Sequence, residues 1–380
     1  MKKFKFFSIL IFLVITLFFS NDFGLVNIEK TAIITAIGID YENEEYSVTA
    51  QVAVPEATTS TTENKKAEIT GKGKTVGSAI RNIGELSGWY PQLAFCNLII
   101  LGNDTIEQNV IKILDYFTKT LRVQDSAVVV LAEQKASDIL YTSTPLDNVT
   151  SFAIQKILLK DLGFELGVAT NDIKSFCIGY YSETGSSYMP IIKKINANEG
   201  NKSENKSVFD CSSTALFLHG KKVGELNKDQ TLTLNALFSN LKNSTIEITD
   251  VKKDYFDKSA NYMLTVMHCT PNIKQRVENN KINVEFTINM YCKVSDQTSE
   301  FSDDAFNKNI PLSYAVKESA ENYLRENISQ LIETEKQTGC DLLRIKQRLY
   351  RFNYKYYASI KDNVFEHLET TINVNVSGQK

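Results

Sequence analysis

Apolar and polar residues alternate along several stretches of the chain, and this period of two predicts β-strands with one buried face. The clearest pair covers residues 30–39 and 45–54, joined by a polar turn over 40–44 and ended by Pro55. Shorter apolar runs that stop at turn residues predict further strands. These strands cover residues 96–101, 127–131, 213–218, 223–226, 245–249, 262–269, 282–292 and 369–376.

Apolar residues spaced three and four apart predict helices between these strands. Thr75, Asp104 and Asp341 stand where N-terminal caps are expected, and Gly339 is a natural end for the longest helix. The predicted helices cover 75–86, 104–117, 136–140, 149–162, 229–241, 312–336 and 341–349. Strands mixed with helices in this way predict an α/β mixed (α+β) fold, with mixed β-sheets flanked by helices in two to three subdomains.

The segment 196–206 has one alanine as its only apolar residue, and it predicts a linker between domains. An N-terminal α/β domain is therefore expected over 27–195 and a C-terminal α/β domain over 207–380.

The first 26 residues predict a signal or membrane-anchor segment. Lys2, Lys3 and Lys5 precede an apolar run over 6–19. As a helix this run is about 21 Å long, shorter than a hydrocarbon core of about 30 Å and normal for a secretory leader. Phe18 is poorly suited to a cleavage site, so both a cleaved leader and an uncleaved anchor remain open. Either places the rest of the chain on the extracytoplasmic side.

Composition narrows the classes of partner and chemistry. Forty-two Lys and Arg against 45 Asp and Glu give a net charge of −3, which does not favour nucleic acid. The six cysteines contain no C-x-x-C pair, and several stand in apolar strand patterns, so they are predicted to be reduced and buried. They are Cys96, Cys177, Cys211, Cys269, Cys292 and Cys340.

Two segments have the residue types of a ligand site. Residues 71–75 resemble a phosphate loop, but Glu68 occupies the position of its first glycine, so a strand-to-helix turn is predicted. His268 and Cys269 are adjacent on a predicted strand and would point to opposite faces, which argues against a shared metal.

Two clusters of charged residues are further candidates for a functional site. The acids Asp40, Glu42, Glu44 and Glu45 are predicted to be a solvated hairpin tip. The basic and aromatic residues over 344–355 are predicted to be a helix that packs its aromatic face and exposes its cations, with a partner-facing or membrane-facing surface as the alternative. No catalytic, cofactor-binding or metal-ligating residue is predicted, and no enzymatic activity is expected.

The order of these segments resembles the Ger(x)C family of spore germination proteins over nearly the whole chain after residue 28. The collinear order carries the resemblance, since no single motif decides it. The matching segments are 32–40, 46–54, 73–82, 95–100, 113–117, 127–130, 214–217, 222–227 and 372–376. Two features depart from the family: Ser20-Asn21-Asp22 stands where a lipid-accepting Cys is usual, and Lys119 and Arg122 stand where an Arg-Asp pair is usual.

The resemblance implies a non-catalytic, membrane-associated C subunit of a spore nutrient germinant receptor. Its implied partners are an integral-membrane A subunit and a transporter-like B subunit, and its implied place is the outer face of the inner spore membrane. Its implied fold is a mixed α/β assembly of three subdomains. An extracytoplasmic solute-binding module or enzyme, with a cleft between the two halves, is the alternative.

Overall fold

The computed structural model describes most of the chain. The described residues are 11–12, 30–53, 67–120, 123–147, 149–158, 167–196, 207–238, 241–253, 256–298 and 312–378. The predicted leader over 1–26 lies outside them except for residues 11–12, and the predicted linker lies outside them except for Asn196. In the part of the chain that is described, no helix combines the length and the apolar character needed to cross a bilayer.

A nine-stranded mixed sheet forms the larger part of the molecule. Its strands are β1 (Thr31–Glu42), β2 (Glu45–Ala53), β3 (Ala67–Gly73), β4 (Tyr90–Gln92), β5 (Leu98–Leu101), β6 (Val128–Ala132), β7 (Ser186–Asn196), β8 (Ser207–Leu218) and β9 (Lys221–Leu226). They follow the order β3-β2-β1-β5-β6-β7-β8-β9, and β4 pairs with the start of β1. The pairs β1·β5, β5·β6 and β6·β7 are parallel, whereas both ends of the sheet are antiparallel.

A four-stranded sheet forms the second part. Its strands are β10 (Thr245–Lys253), β11 (Phe256–Glu278), β12 (Lys281–Gln297) and β13 (Leu368–Gly378). The first three are antiparallel in chain order, and β13 returns parallel to β12.

The helices are α1 (Val76–Ser87), α2 (Val110–Thr120), α3 (Ala136–Leu140), α4 (Thr150–Leu158), α5 (Ile173–Tyr180), α6 (Lys228–Leu237), α7 (Tyr314–Thr338), α8 (Ile345–Phe352) and α9 (Tyr354–Ile360). Short 3-10 helices cover Asn103–Glu107 and Lys361–His367. Residues of α1, α2 and α5 pack in one core cluster with the larger sheet, and residues of α3 and α4 pack in another. Helices α6, α7 and α8 pack with the smaller sheet.

Three predicted boundaries need correction. β1 continues through Asp40 to Glu42, and the hairpin turn is only Asn43–Glu44, whose φ angles of 50° and 60° suit a two-residue turn of the twist that hairpins favour. Asp104 does not cap a helix over 104–117, because a 3-10 helix ends at Glu107. Helix α2 begins at Val110 instead.

The structure also adds elements that were not predicted. Strand β7 contains Pro190, a residue that disfavours the interior of a sheet, and β3 is mostly polar. Neither segment therefore shows the uninterrupted apolar pattern of a strand. Helix α5 is short, with only Ile173 and Phe176 buried.

The predicted linker connects two strands of the same sheet. β7 and β8 pair from Ser186↔Leu218 to Asn196↔Ser207. The larger sheet therefore includes strands from both sides of 196–206, and residues up to Leu226 belong to it. The division into domains over 27–195 and 207–380 stays a prediction.

Candidate functional site: a polar cleft between the two sheets

A cleft of about 460 Å³ lies where the larger sheet meets the helices of the smaller one. Helix α5 lines one side and helix α8 lines the other. The first residues of β7 and the ring of Phe238 complete the wall. The cleft thus combines residues from both halves of the chain.

Helix α5 lines the cleft with three residues. Its cap is Asp172, whose Oδ1 accepts a hydrogen bond from the Ser175 backbone N–H at 2.6 Å. Ile173 and Phe176 pack into the core beneath the larger sheet, and the Phe176 ring meets Phe217 edge-on. Ser175, Ile178 and Gly179 are left to line the cleft.

Helix α8 is held by a carboxylate that precedes it. Asp341 is buried, and its two carboxylate oxygens accept hydrogen bonds from the backbone N–H groups of Lys346 and Gln347, both at 3.0 Å. The prediction that Asp341 stands at the start of a helix over 341–349 needs correction, because α8 begins at Ile345 and Arg344 occupies its N-cap position. Asp341 nevertheless satisfies backbone N–H groups of the first turn from three residues upstream of that position. Ile345 and Leu349 pack into the core, so the opposite face of the helix is free to line the cleft.

Two cations line this side of the cleft, Arg344 directly before α8 and Arg351 in its last turn. Arg344, Gln347 and Arg351 are spaced by three and four residues and all line the cleft. Arg344 has a left-handed backbone with φ of 60° and ψ of 33°, an unusual conformation for a long side chain. Among the described residues, neither arginine has an acidic partner within ion-pairing distance.

The turn between α7 and α8 fastens the two sheets together at the base of the cleft. The Cys340 thiol lies 3.4 Å from the carbonyl oxygen of Phe217, and the Asp341 backbone N–H donates to Ser186 Oγ at 2.8 Å. Nearby, the Tyr357 hydroxyl donates to Glu183 at 3.3 Å, and Lys361 pairs with the same carboxylate at 3.0 Å.

Two buried acids stabilise this turn. Glu335 in α7 is completely buried, and its Oε1 accepts a hydrogen bond from the Leu343 N–H at 2.6 Å. Burial raises the pKa of Glu335 well above its ordinary value, and the nearby Asp341 raises it further. Burial also raises the pKa of Asp341, although the N–H groups at the start of α8 oppose that rise. Both carboxylates therefore accept hydrogen bonds from backbone N–H groups of the turn and of α8.

The four acids predicted at the hairpin tip do not form one set. Asp40 is buried within β1 and accepts hydrogen bonds from the N–H groups of Ala136 and Ser137, at 2.6 and 3.0 Å. The solvated-tip prediction is therefore wrong for Asp40. Burial raises the pKa of Asp40, and burial followed by repulsion from Asp40 raises the pKa of Asp104 to about 6.

Two of the other three acids form surface ion pairs, and Glu44 is exposed in the turn. Glu42 pairs with Lys135 at 2.5 Å, and Glu45 pairs with Lys74 at 3.5 Å. The sequence signal that was missed is that Asp40 and Asp104 both follow buried residues of parallel strands, whose carboxyl ends share one edge of the sheet.

The glycines over 71–75 serve packing. A Cβ on Gly71 would collide with the backbone oxygen of Ala79, and one on Gly73 would collide with Ser78. Thr75 caps α1, with its hydroxyl accepting from the Ser78 N–H at 3.1 Å. The predicted strand-to-helix turn is confirmed, and glycine is needed because α1 lies directly against β3.

His268 and the six cysteines do not form a ligand site in the described residues. His268 is exposed and Cys269 is buried, as opposite faces of a strand require. All six thiols are free, and five of them are buried, whereas Cys177 is half-buried. Burial raises the pKa of Cys96 to about 12 and that of Cys177 to about 11. Within the described ranges, no three His, Cys, Asp or Glu side chains are grouped to hold a metal.

The basic and aromatic stretch over 344–355 packs differently from its prediction. Its buried face is aliphatic, and the helix breaks at Asn353 before α9 begins. Phe352 and Tyr354 are exposed by 79% and 61% of their surface, so aromatic rings as well as cations face solvent. The alternative drawn from the sequence named a cleft between the two halves but none of its lining residues, because α5 was not recognised and one wall was therefore missing.

Two family models match the chain in tandem. A model described as "Spore germination protein N-terminal domain" matches residues 25–194, and one described as "Spore germination B3/ GerAC like, C-terminal" matches residues 212–378. The chain belongs to the Ger(x)C family of spore germination proteins. The collinear resemblance found in the sequence is thereby confirmed, and the two matches leave residues 195–211 between them.

A solved structure adds a finding on the fold. The structure titled "Crystal Structure of the GerBC protein" superposes with a TM-score of 0.51 at 16% identity, covering 90% of this chain and 97% of that one. It confirms the predicted mixed α+β fold for this Ger(x)C protein. A search of curated proteins finds no match.

Proposed function

We propose that this chain is the C subunit of a spore nutrient germinant receptor and acts through protein–protein contacts without catalysing a reaction. The observation that carries the proposal is the tandem family match over 25–194 and 212–378. Its partners are the integral-membrane A and B subunits. It is associated with the membrane on the extracytoplasmic face.

Three exposed apolar side chains close to β4 in sequence support the proposed membrane contact. Leu86, Trp89 and Phe95 are exposed by 66%, 48% and 61%. Tyr90, next to Trp89, lies opposite Thr31 at the start of β1. The predicted anchor over 1–26 leads to that same strand end. An exposed Trp and Phe beside an anchor suit a membrane interface or a membrane-embedded partner.

A deletion of the gene tests the proposal. Spores that lack this chain are expected to lose germination with at least one nutrient, and the full-length chain should restore it. Unchanged germination under every nutrient tested would contradict the receptor role.

A second experiment tests the contacts. In membranes from sporulating cells, the A and B subunits are expected to co-purify with the wild-type chain and to be reduced by the Trp89→Glu, Phe95→Glu double variant. Leu146→Glu is the matched control, since Leu146 is 95% exposed and precedes α4 on the opposite face of the larger sheet. Equal recovery of the A and B subunits with the double variant and with the control would exclude Trp89 and Phe95 as contacts to them.

A further inference from the structure

We infer that the cleft between α5 and α8 binds a small polar solute by its carboxylate or phosphate group, which is held by the guanidinium groups of Arg344 and Arg351. This inference is independent of the proposed receptor role. It rests on the shape of the cleft, on unpaired cations and on unused hydrogen-bonding groups.

The volume of the cleft suits a small molecule. Its volume of about 460 Å³ falls in the range of roughly 300–1,000 Å³ in which ligand pockets are found. Side chains from both sheets line it, so a ligand would contact both halves of the chain. Tyr188 and Phe238, with ring centroids 6.1 Å apart, supply an apolar surface for the body of a ligand.

The guanidinium groups are the anchor for an anion. Arg344 directly precedes α8 and Arg351 lies in its last turn, and both line the cleft together with Gln347. Neither side chain has a hydrogen-bonding partner in the described part of the chain. An arginine presents its N–H groups in a planar fork that matches a carboxylate or a phosphate. Two such groups at opposite ends of α8 suit a solute of several atoms better than a bare ion.

Arg348 provides an internal comparison on the same helix. Its Nη1 donates to the Ile273 carbonyl oxygen at 3.3 Å, so its guanidinium group is already bound to the smaller sheet. Arg344 and Arg351 have no such engagement and line the cleft instead.

The remaining wall supplies hydroxyl groups and two acids. Within the described ranges, the hydroxyls of Ser126, Thr170 and Ser175 have no hydrogen-bonding partner, and all three line the cleft. The carboxylates of Asp172 and Asp341 also line it. Each of them already accepts backbone N–H bonds at the start of a helix, which reduces its repulsion of an anion.

The test measures binding of inorganic phosphate and of succinate to the full-length chain by calorimetry at constant ionic strength. Saturable binding of at least one probe is expected, and the stronger of the two identifies phosphate or carboxylate as the recognised group. The Arg344→Gln, Arg351→Gln double variant should lose at least tenfold in affinity. The matched control is Arg276→Gln with Lys355→Gln, which removes two exposed cations outside the cleft and should change affinity less than twofold.

A second variant distinguishes a loss of binding from a loss of folding. Ser175→Glu places a carboxylate in the cleft from an exposed position on α5, and it should abolish binding while leaving the thermal unfolding of the free chain unchanged. No saturable binding of either probe, or equal binding by the double variant and its control, would overturn the inference. In that case an acidic side chain of a partner protein becomes the occupant to test.

Discussion

The two sheets bury their strands in different ways. In the larger sheet, β5 and β6 are parallel and lie between helices on both faces, so every residue of both strands is buried. In the smaller sheet, β12 has one face against α7 and the other toward solvent, and buried residues alternate with exposed or half-buried ones from Ile282 to Val294. The same strand conformation therefore needs continuous apolar sequence in one region and strict alternation in the other.

The largest losses of stability are expected from alanine substitutions that compare the strand buried on both faces with the strand buried on one. Ile99→Ala and Ile100→Ala, neighbours in β5, should each lower the free energy of unfolding by about 2–5 kcal/mol, since both side chains are completely buried. In β12, Phe286→Ala should cost about 3–5 kcal/mol, whereas its neighbour Thr287→Ala should cost less than about 1 kcal/mol.

Urea unfolding of the full-length chain, followed by circular dichroism, measures these differences. A small effect of either isoleucine substitution would show that one face of β5 is not packed as described. A large effect of Thr287→Ala would show that β12 is covered on both faces.

A second test compares the buried carboxylate of each region. Asp40→Ala removes the acceptor for two N–H groups at the start of α3, and Asp341→Ala removes the acceptor for two at the start of α8. Each substitution should lower the free energy of unfolding by about 1–3 kcal/mol, because buried N–H groups lose their hydrogen-bonding partners. Asp362→Ala, at an exposed position, is the control and should cost less than about 0.5 kcal/mol.

The two substitutions should differ in a further readout. Asp341 lies in the turn that fastens the sheets together, so its replacement should expose the 340–344 turn to limited proteolysis. Asp40→Ala should leave that turn protected. Equal cleavage in both variants would mean that the turn does not depend on Asp341.

A third test uses Glu335, which is completely buried in α7. Glu335 has a raised pKa in the folded chain, against an ordinary value of 4.5. Between these two values the folded state keeps a proton that the unfolded state releases. The free energy of unfolding therefore falls as pH rises through that window, by up to about 1.4 kcal/mol per pH unit.

Glu335→Gln removes this contribution. The variant should gain stability relative to the wild-type chain as pH rises above 4.5, measured by urea unfolding at a series of pH values. Asp40, Asp104 and Asp341 are present in both proteins, so the difference isolates Glu335. Parallel pH profiles would contradict the raised pKa.

The smallest effect is expected at a surface pair of the smaller sheet. Lys281 and Glu369 form an ion pair between β12 and β13, and both side chains are more than half exposed. Lys281→Gln should cost less than about 1 kcal/mol, and the loss should disappear at 1 M salt. A larger or salt-independent loss would mean that the edge of this sheet depends on the pair.

Local chemistry made several elements predictable. The alternation in β12, the apolar runs of β5 and β6, and the Thr75 cap all depend on residues close in sequence. Strand β7 and helix α5 were missed for the opposite reason. Pro190 is tolerated within β7, and α5 has too few buried residues for a clear period, so their conformation depends on neighbours.

The candidate site was the least predictable feature. The face formed by Arg344, Gln347 and Arg351 is visible in the sequence as helical spacing, but nothing local shows what it faces. Asp40 was placed in a solvated turn because acids near a hairpin are usually exposed. Its burial follows from the start of α3, which lies 96 residues further along the chain at Ala136.

The sequence by itself determined the family, the mixed α+β class and the free, mostly buried cysteines, because these follow from segment order, periodicity and composition. Tertiary structure alone decided that the larger sheet continues across 196–206, that Asp40 and Glu335 hold backbone N–H groups, and that α5 and α8 enclose a polar cleft. Each of these features depends on residues that are distant in sequence and pack together. The spacing of apolar residues along the chain cannot predict such pairs, because it shows which face of an element is buried but not which element covers that face.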